Sequence, residues 1–136
     1  MELTQGVRFD TLGLSEPLMR ALEKKNYEVS TPVQAGAIPP MLAWKDVLAK
    51  APTGTGKTFA FGIPILEHIN PADDRVQAVI LAPTRELALQ ITEELRELAV
   101  YMEGVKIICC YGGQPIGKQI NALKRHPQII VATPGR

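Results

Sequence analysis

"APTGTGKT", residues 51–58, follows the apolar run Asp46–Ala51 and precedes a second one, Phe59–Ile69. Two glycines, three threonines, a proline and a lysine between apolar runs make a loop. What that loop is built to hold decides how the surrounding chain is read.

The neighbouring segments alternate in character. "SEPLMRALEKKNY" predicts a helix, with Ser15 as N-cap, Pro17 in the first turn, and Leu14, Leu18, Ala21 and Leu22 on one face. "TPVQAGAIPPML" reads as a helical segment broken by Pro39 and Pro40. "DVLAKA" reads as a strand and "KTFAFGIPILEHIN" as a helix. "VQAVILA" is rich in β-branched residues without polar alternation after Gln77, as in a strand buried on both faces. "RELALQITEELRELAVYME" is the clearest helix, with Leu87, Ile91, Leu95, Leu98 and Met102 at helical spacing and glutamates opposite. "VKIICCY", "PIGKQINALKR" and "QIIVAT" then read as strand, helix and strand. This order predicts an α/β fold, a parallel sheet with flanking helices joined by right-handed crossovers.

Composition limits the alternatives. The chain has 136 residues, one domain's worth, with 46% hydrophobic residues and a formal net charge of +1. No global basic field draws in nucleic acid, so such binding needs a local patch. Cys109 and Cys110 are adjacent in an apolar run, neither a disulfide framework nor a metal-ligand spacing, and read as buried reduced thiols. No apolar stretch approaches the roughly 18 residues of a membrane helix, and "MELTQGVRFD" lacks a signal peptide's apolar core. The expectation is a cytoplasmic protein with no membrane partner.

In that order the loop lies where a strand hands over to a helix, at the carboxyl edge of a parallel sheet where ligands bind. The helix start offers unpaired N–H groups and the positive end of its dipole. Gly54 and Gly56 let the loop curl so that its amides point inward at an anion. Lys57 can reach terminal phosphate oxygens and the Thr58 hydroxyl can ligate Mg²⁺. The stretch reads as a nucleotide-binding P-loop, with Ala51 in place of the first glycine of the general pattern.

Here the chain resembles, over its whole length, the first RecA-like domain of a DEAD-box ATP-dependent RNA helicase. Ala51, Pro52, Thr53, Gly54, Thr55, Gly56, Lys57 and Thr58 match that family's A-x-x-G-x-G-K-T loop. "STPVQ", Ser30–Gln34, resembles the end of the Q motif, which spans 26–34, and "PTRELALQ", Pro83–Gln90, resembles motif Ia. Gly112–Gly113 resembles the GG doublet and "TPGR", Thr133–Arg136, motif Ib. "PTREL" is unlike the corresponding stretch of the related DEAH helicases. Asn26, Tyr27 and Ser30 depart from the glycine, phenylalanine and proline usual in the family. The resemblance implies that residues 1–136 are a partial helicase ATP-binding domain.

Each motif has a physical use. The Gln34 amide, a donor and an acceptor together, can pair with adenine N6 and N7, where guanine would present two acceptors. The resemblance implies that Phe9 and Tyr27 frame the adenine ring, although either could instead cover a small core. Pro83, Gly112 and Thr133 each follow a predicted strand at once or nearly so, on the sheet edge expected to carry the P-loop. Arg85 and Arg136 supply charge for phosphates, Thr84 and Thr133 hydroxyls, and Gly112 and Gly113 close backbone approach. Pro134 and Gly135 complete the motif Ib turn. Such contacts ignore base sequence but can sense the 2′-hydroxyl. Taken singly, each is equally a loop cap; Thr84 can serve as both cap and phosphate contact.

The family's Asp-Glu-Ala-Asp and Ser-Ala-Thr segments, and its second RecA-like domain with arginines for the transferring phosphoryl group, do not occur in these 136 residues. The expectation is a RecA-like P-loop NTPase fold truncated before the Asp-Glu-Ala-Asp strand, binding ATP, Mg²⁺ and RNA but inactive alone. In the family the missing strands lie between the P-loop strand and the others. Asp46–Ala51 is therefore expected to have no ladder partner among Val76–Ala82, Val105–Tyr111 and Gln128–Thr133. The alternatives are a stand-alone non-hydrolysing nucleotide- or RNA-binding module, and a DNA-directed motor, which "STPVQ" together with "PTREL" disfavours.

Overall fold

The computed structural model describes residues 5–52 and 56–136, which form two compact units. One comprises the chain to His68 together with Leu98–Met102, and the other Ile69–Glu97 with Glu103–Arg136. Thr53, Gly54 and Thr55 lie outside the described residues.

In the first unit a 3-10 turn, Phe9–Thr11, precedes α1, Glu16–Lys24. Ser15 is the N-cap of α1, yet its amide and hydroxyl both donate to Glu67 Oε1, at 2.8 and 2.6 Å, instead of closing a side-chain cap on the helix. Leu18, Ala21 and Leu22 are buried, as the 3.6-residue period requires. The helix stops by a two-bond reversal. Tyr27 N donates to Leu22 O at 2.9 Å and Asn26 N to Glu23 O at 3.0 Å, with Asn26 left-handed at φ 60°. This accounts for asparagine where the resemblance gives glycine, since asparagine is the side chain that best tolerates that conformation. Ser30 takes over a role that proline could not fill. Its amide donates to Val7 O at 2.7 Å, its hydroxyl donates to Val7 O at 2.8 Å, and its oxygen accepts from Val7 N at 3.0 Å.

Helix α2, Pro32–Leu42, opens with a capping box: Thr31 Oγ1 accepts from Gln34 N at 3.4 Å and Gln34 Oε1 from Thr31 N at 2.9 Å. It runs through Pro39 and Pro40, contrary to the expected break. Both prolines sit near its end, proline's fixed φ suits a helix, and Ala43 N still donates to Pro39 O at 3.1 Å. The buried side chains Val33, Ala37 and Ile38 hold the helix, which packs against α3, Lys57–His68. Among the described residues, Asp46–Pro52 forms no strand and joins no ladder, and Leu48 is fully exposed. The expected strand there is thus corrected. Without a neighbouring strand, an extended segment has no partners for its backbone groups.

The second unit holds a parallel sheet in the order β1-β3-β2, with β1 Ala78–Leu81, β2 Ile107–Cys110 and β3 Ile129–Ala132. Ala78, Ile129 and Ile107 are in register, as are Leu81, Ala132 and Cys110. Helix α4, Arg85–Leu98, follows β1, and α5, Ile116–Leu123, follows β2. The strands are shorter than their apolar runs, but backbone bonds extend the ladder: Gln77 N to Gln128 O at 2.7 Å and Ala82 N to Ala132 O at 2.9 Å.

One sheet face buries Ile80, Ile107, Ile129 and Val131. On the other, Ile108, Cys110 and Ala132 cluster with Ala122 of α5, whereas Val79 and Leu81 are exposed. Burial of β1 on both faces is therefore corrected: α5 covers the β2 side of that face, and no described residue covers the β1 side. On α4 the expected Ile91, Leu95 and Leu98 are buried, joined by Ala88 and Thr92; Leu87 is exposed, and the helix ends before Met102. Burial holds the Cys110 thiol above its ordinary pKa, in keeping with an inert reduced cysteine. Among the described residues no helix is long and apolar enough to cross a membrane.

The reversal after α1 is testable. Asn26→Gly is expected to leave the unfolding midpoint unchanged or slightly raised. Asn26→Val is expected to cost about 1–2 kcal/mol, the penalty for a side chain forced left-handed. Denaturant titration of the two variants measures the difference.

Candidate functional site

In the first unit Gly56, Lys57 and Thr58 of the P-loop stretch open α3. Gly56 is left-handed at φ 81°, and its carbonyl accepts from Ala60 N at 3.2 Å, opening the helix. Lys57 is the first helical residue and exposed. Its ammonium donates to Ala51 O at 2.7 Å, so the lysine folds back over its own loop. Thr58 follows, half-buried, with its hydroxyl in the first turn. A helix N-terminus carries unpaired amides and partial positive charge, and the lysine adds a full one. An anion that displaces the Ala51 carbonyl would find both.

Gln34 reaches this loop from α2. The residue is 4% exposed, and its Nε2 donates to Gly56 O at 3.1 Å while its Oε1 stays in the capping box. Both functions of the amide expected to read adenine are therefore engaged within the protein. A Cβ on Gly56 would collide with Gln34 Nε2, so close approach as well as φ calls for glycine there.

The two aromatic candidates differ. Phe9 is 2% exposed, its ring spent on the core, and its amide donates to Glu28 O at 3.0 Å. Tyr27 is 45% exposed and meets Phe59 edge-on, with ring centroids 5.4 Å apart. Lys25 Nζ lies 5.7 Å from the Tyr27 centroid. Tyr27 has a face to offer a ligand; Phe9 braces the segment beneath it.

The residues fit a nucleotide's phosphates through Lys57 and the α3 amides. They fit Mg²⁺ through one hydroxyl, that of Thr58, with phosphate and water oxygens completing the shell. Among the described residues no group of three or more His, Cys, Asp or Glu side chains could hold a metal.

In the second unit, Pro83, Gly112 and Thr133 come just after β1, β2 and β3. Because the three strands are parallel, the motifs share the carboxyl edge of this sheet. Thr133 N donates to Cys110 O at 3.0 Å, which fixes that edge. Thr84 Oγ1 accepts from Leu87 N at 3.2 Å as the cap of α4. The Arg85 guanidinium carbon lies 5.5 Å from the Tyr111 ring centroid. Gly113 and Gly135 are left-handed, at φ 92° and 88°, and Arg136 N donates to Thr133 O at 3.3 Å to close the last turn. Pro83, Thr84, Arg85, Gly112, Gly113, Pro134, Gly135 and Arg136 are exposed and Thr133 half-buried. Gln119 escaped the sequence reading. It is buried in α5 and its Nε2 donates to Tyr111 O at 2.8 Å, setting the turn before Gly112. A lone glutamine among the apolar residues of a helix gives no spacing signal.

Comparison with known proteins places this geometry. The family model described as DEAD/DEAH box helicase matches residues 31–136. The chain belongs to that family. It is 52% identical over 128 residues to the DEAD-box ATP-dependent RNA helicase CshA of Geobacillus kaustophilus, covering 94% of this chain and 27% of the relative. To CshA of Bacillus subtilis it is 51% identical over 130 residues, covering 96% and 26%. The crystal structure of a DEAD box protein from Methanococcus jannaschii superposes with a TM-score of 0.89 at 39% identity, covering 96% of this chain and 36% of that one. A hypothetical ATP-dependent RNA helicase from Sulfolobus tokodaii gives 0.81 at 39% identity, covering 90% and 35%. The chain thus spans about a quarter of the length of its curated relatives.

The Gly56 constraint yields a test. Gly56→Ala is expected to lower stability by about 1–2 kcal/mol from its positive φ alone. Measured against Gln34→Ala alone, which already lacks the hydrogen bonds to Thr31 and Gly56, Gln34→Ala/Gly56→Ala is free of the collision but keeps the φ penalty, so most of that loss should persist. Equilibrium unfolding of the single and double variants reads both effects.

Proposed function

We propose that this chain is the ATP- and RNA-binding part of an ATP-dependent RNA helicase that remodels or unwinds RNA duplexes using ATP hydrolysis. The observation that carries the reading is Lys57, at the head of α3, with its ammonium on the Ala51 carbonyl 2.7 Å away. A carbonyl is a weak substitute for a phosphate oxygen, so the ammonium moves to the phosphates when ATP enters. The α3 amides take the remaining phosphate charge. Thr58 holds Mg²⁺, which when bound neutralises phosphate charge as it develops. Tyr27 stacks on the adenine, Phe9 braces the segment below, and Gln34 turns its amide from Thr31 and Gly56 to the base edge. Thr53, Gly54 and Thr55, assigned to the phosphates by the family's loop pattern, lie outside the described residues.

On the sheet edge of the second unit, Arg85 and Arg136 pair with RNA phosphates. Thr84, Thr133 and the Gly112–Gly113 backbone position the strand, and Pro83, Pro134 and Gly135 shape the turns around it. None of these reads a base edge, so the grip is independent of sequence. Hydrolysis also needs a water-positioning carboxylate and charges from a second RecA-like domain. These 136 residues alone are expected to bind and not to turn over. A stand-alone non-hydrolysing module is the other reading, and RNA-stimulated turnover by the complete natural chain separates the two.

Lys57→Ala is expected to weaken binding of a Mg²⁺–ATP analogue about ten- to hundredfold, the worth of hydrogen bonds to a charged group. Unchanged affinity by calorimetry would remove the P-loop assignment. The unmutated chain is expected to prefer ADP to GDP, and Gln34→Glu, which also loses the donor to Gly56 O, to weaken ADP more than pyrophosphate. Equal affinity for ADP and GDP would count against the role of Gln34.

A further inference from the structure

Val7 and Ser30 hold one another through three hydrogen bonds. Ser30 N donates to Val7 O at 2.7 Å, Ser30 Oγ donates to the same carbonyl at 2.8 Å, and Val7 N donates to Ser30 Oγ at 3.0 Å. One residue thus takes up both backbone groups of Val7, and Ser30 itself is only 4% exposed. Further along, Arg8 and Val29 form an antiparallel bridge, and Phe9 N donates to Glu28 O at 3.0 Å. Residues 7–9 are therefore a short strap laid antiparallel along residues 28–30. The approach is closest at Gly6, where an added Cβ would collide with the Ser30 carbonyl.

The two ends of the strap are held differently. Phe9 anchors one end by burial in the core. At the other end Val7 and Val29 are both exposed, so little apolar burial holds them. The hydrogen bonds of Ser30 fasten that end, and two of the three run through its hydroxyl. Proline, which the family resemblance gives at this position, has neither the hydroxyl nor an amide proton. The residues assigned to adenine adjoin the strapped segment on either side. Tyr27 immediately precedes it, with its amide on Leu22 O at 2.9 Å. Thr31 immediately follows it, and the Thr31 amide is the internal partner of Gln34 Oε1 at 2.9 Å. A segment free to shift at Ser30 moves the Tyr27 ring relative to the Gln34 amide. A stacking face and a hydrogen-bonding edge must meet one planar base together, so holding their spacing in advance favours binding.

We propose that Ser30 is a positioning residue for adenine in this chain: by clamping the strap at Val7 it fixes residues 27–31, and with them the spacing between the Tyr27 ring and the Gln34 amide. This role rests on the reading of Tyr27 and Gln34 as the adenine contacts. It makes base recognition depend on residues 6–9 through a buried hydroxyl that does not itself touch the nucleotide. It also gives a consequence to a serine that departs from the family pattern.

The test is calorimetric titration of the 136-residue chain with ADP, GDP and pyrophosphate, beside denaturant unfolding. Ser30→Ala deletes the hydroxyl and keeps the backbone bond to Val7. Gly6→Ala forces the strap off the Ser30 carbonyl from the opposite side, with Ser30 intact. Both variants are expected to bind ADP roughly three- to tenfold more weakly, the worth of one neutral hydrogen bond appearing as a smaller binding-competent fraction. Their pyrophosphate affinity should stay unchanged, and their preference for ADP over GDP should shrink. A purely structural serine would lower the unfolding midpoint alone, so ADP affinity equal to the unmutated chain's in either folded variant would overturn the proposal. Equal losses for ADP and pyrophosphate would overturn it too, pointing to a general effect on the phosphate loop. Absence of any preference for ADP over GDP in the unmutated chain would instead bring down the adenine reading of Tyr27 and Gln34, and this role with it.

Discussion

The side chain of Gln34 is the tie on which the nucleotide-binding half of the chain depends. It is nearly buried, accepts from the Thr31 amide that begins α2, and donates to the Gly56 carbonyl that begins α3. One amide thus links two helix starts that lie far apart in sequence, and α2 and α3 pack side by side. A buried amide left unsatisfied would cost about 1–3 kcal/mol, so the side chain cannot leave either partner without a replacement. An adenine edge offers one, a donor and an acceptor at matching positions. Guanine offers two acceptors and cannot satisfy both atoms. Under the proposed function, the hydrogen bonds that tie Gln34 to Thr31 and Gly56 would set the terms on which a base is admitted.

A different constraint organises the second unit. Parallel strands place every strand-to-helix turn at one edge, and all the motifs there consist of what such turns require: a proline, a cap threonine, left-handed glycines. These turn residues are exposed apart from the half-buried Thr133, and Arg85 and Arg136 add charge. Under the proposed function, this architecture is what would suit the edge to a sugar-phosphate strand.

Much of this was legible in the sequence, and the exceptions have local causes. Strands β1, β2 and β3 announced themselves as apolar runs, and the N-cap positions Ser15 and Thr84 as residue types; the capping box at Thr31 did not. The strand expected at Asp46–Ala51 did not form, because a strand is a property of its neighbours and none of the three present pairs with it. Pro39 and Pro40 did not break α2, because burial of Ala37 and Ile38 outweighs two missing donors at the end of a helix. On α4 the expected Ile91, Leu95 and Leu98 are buried, but Ala88 takes the place of Leu87 at the start of the stripe, a shift of one position that a 3.6-residue period tolerates. The burial of Phe9 and the double engagement of Gln34 depend on contacts across the fold that no local pattern records.

The central claim is that Gln34 exchanges its internal partners for adenine. The most direct measurement is the side-chain amide resonance of Gln34 in a nitrogen-15 spectrum, assigned by Gln34→Ala and followed during titration with ADP, GDP and pyrophosphate. Saturating ADP is expected to move this resonance, and the Thr31 backbone amide with it, while GDP and pyrophosphate leave both nearly in place. A Gln34 side-chain signal that stays still under saturating ADP, or that moves as far with pyrophosphate alone, would contradict it.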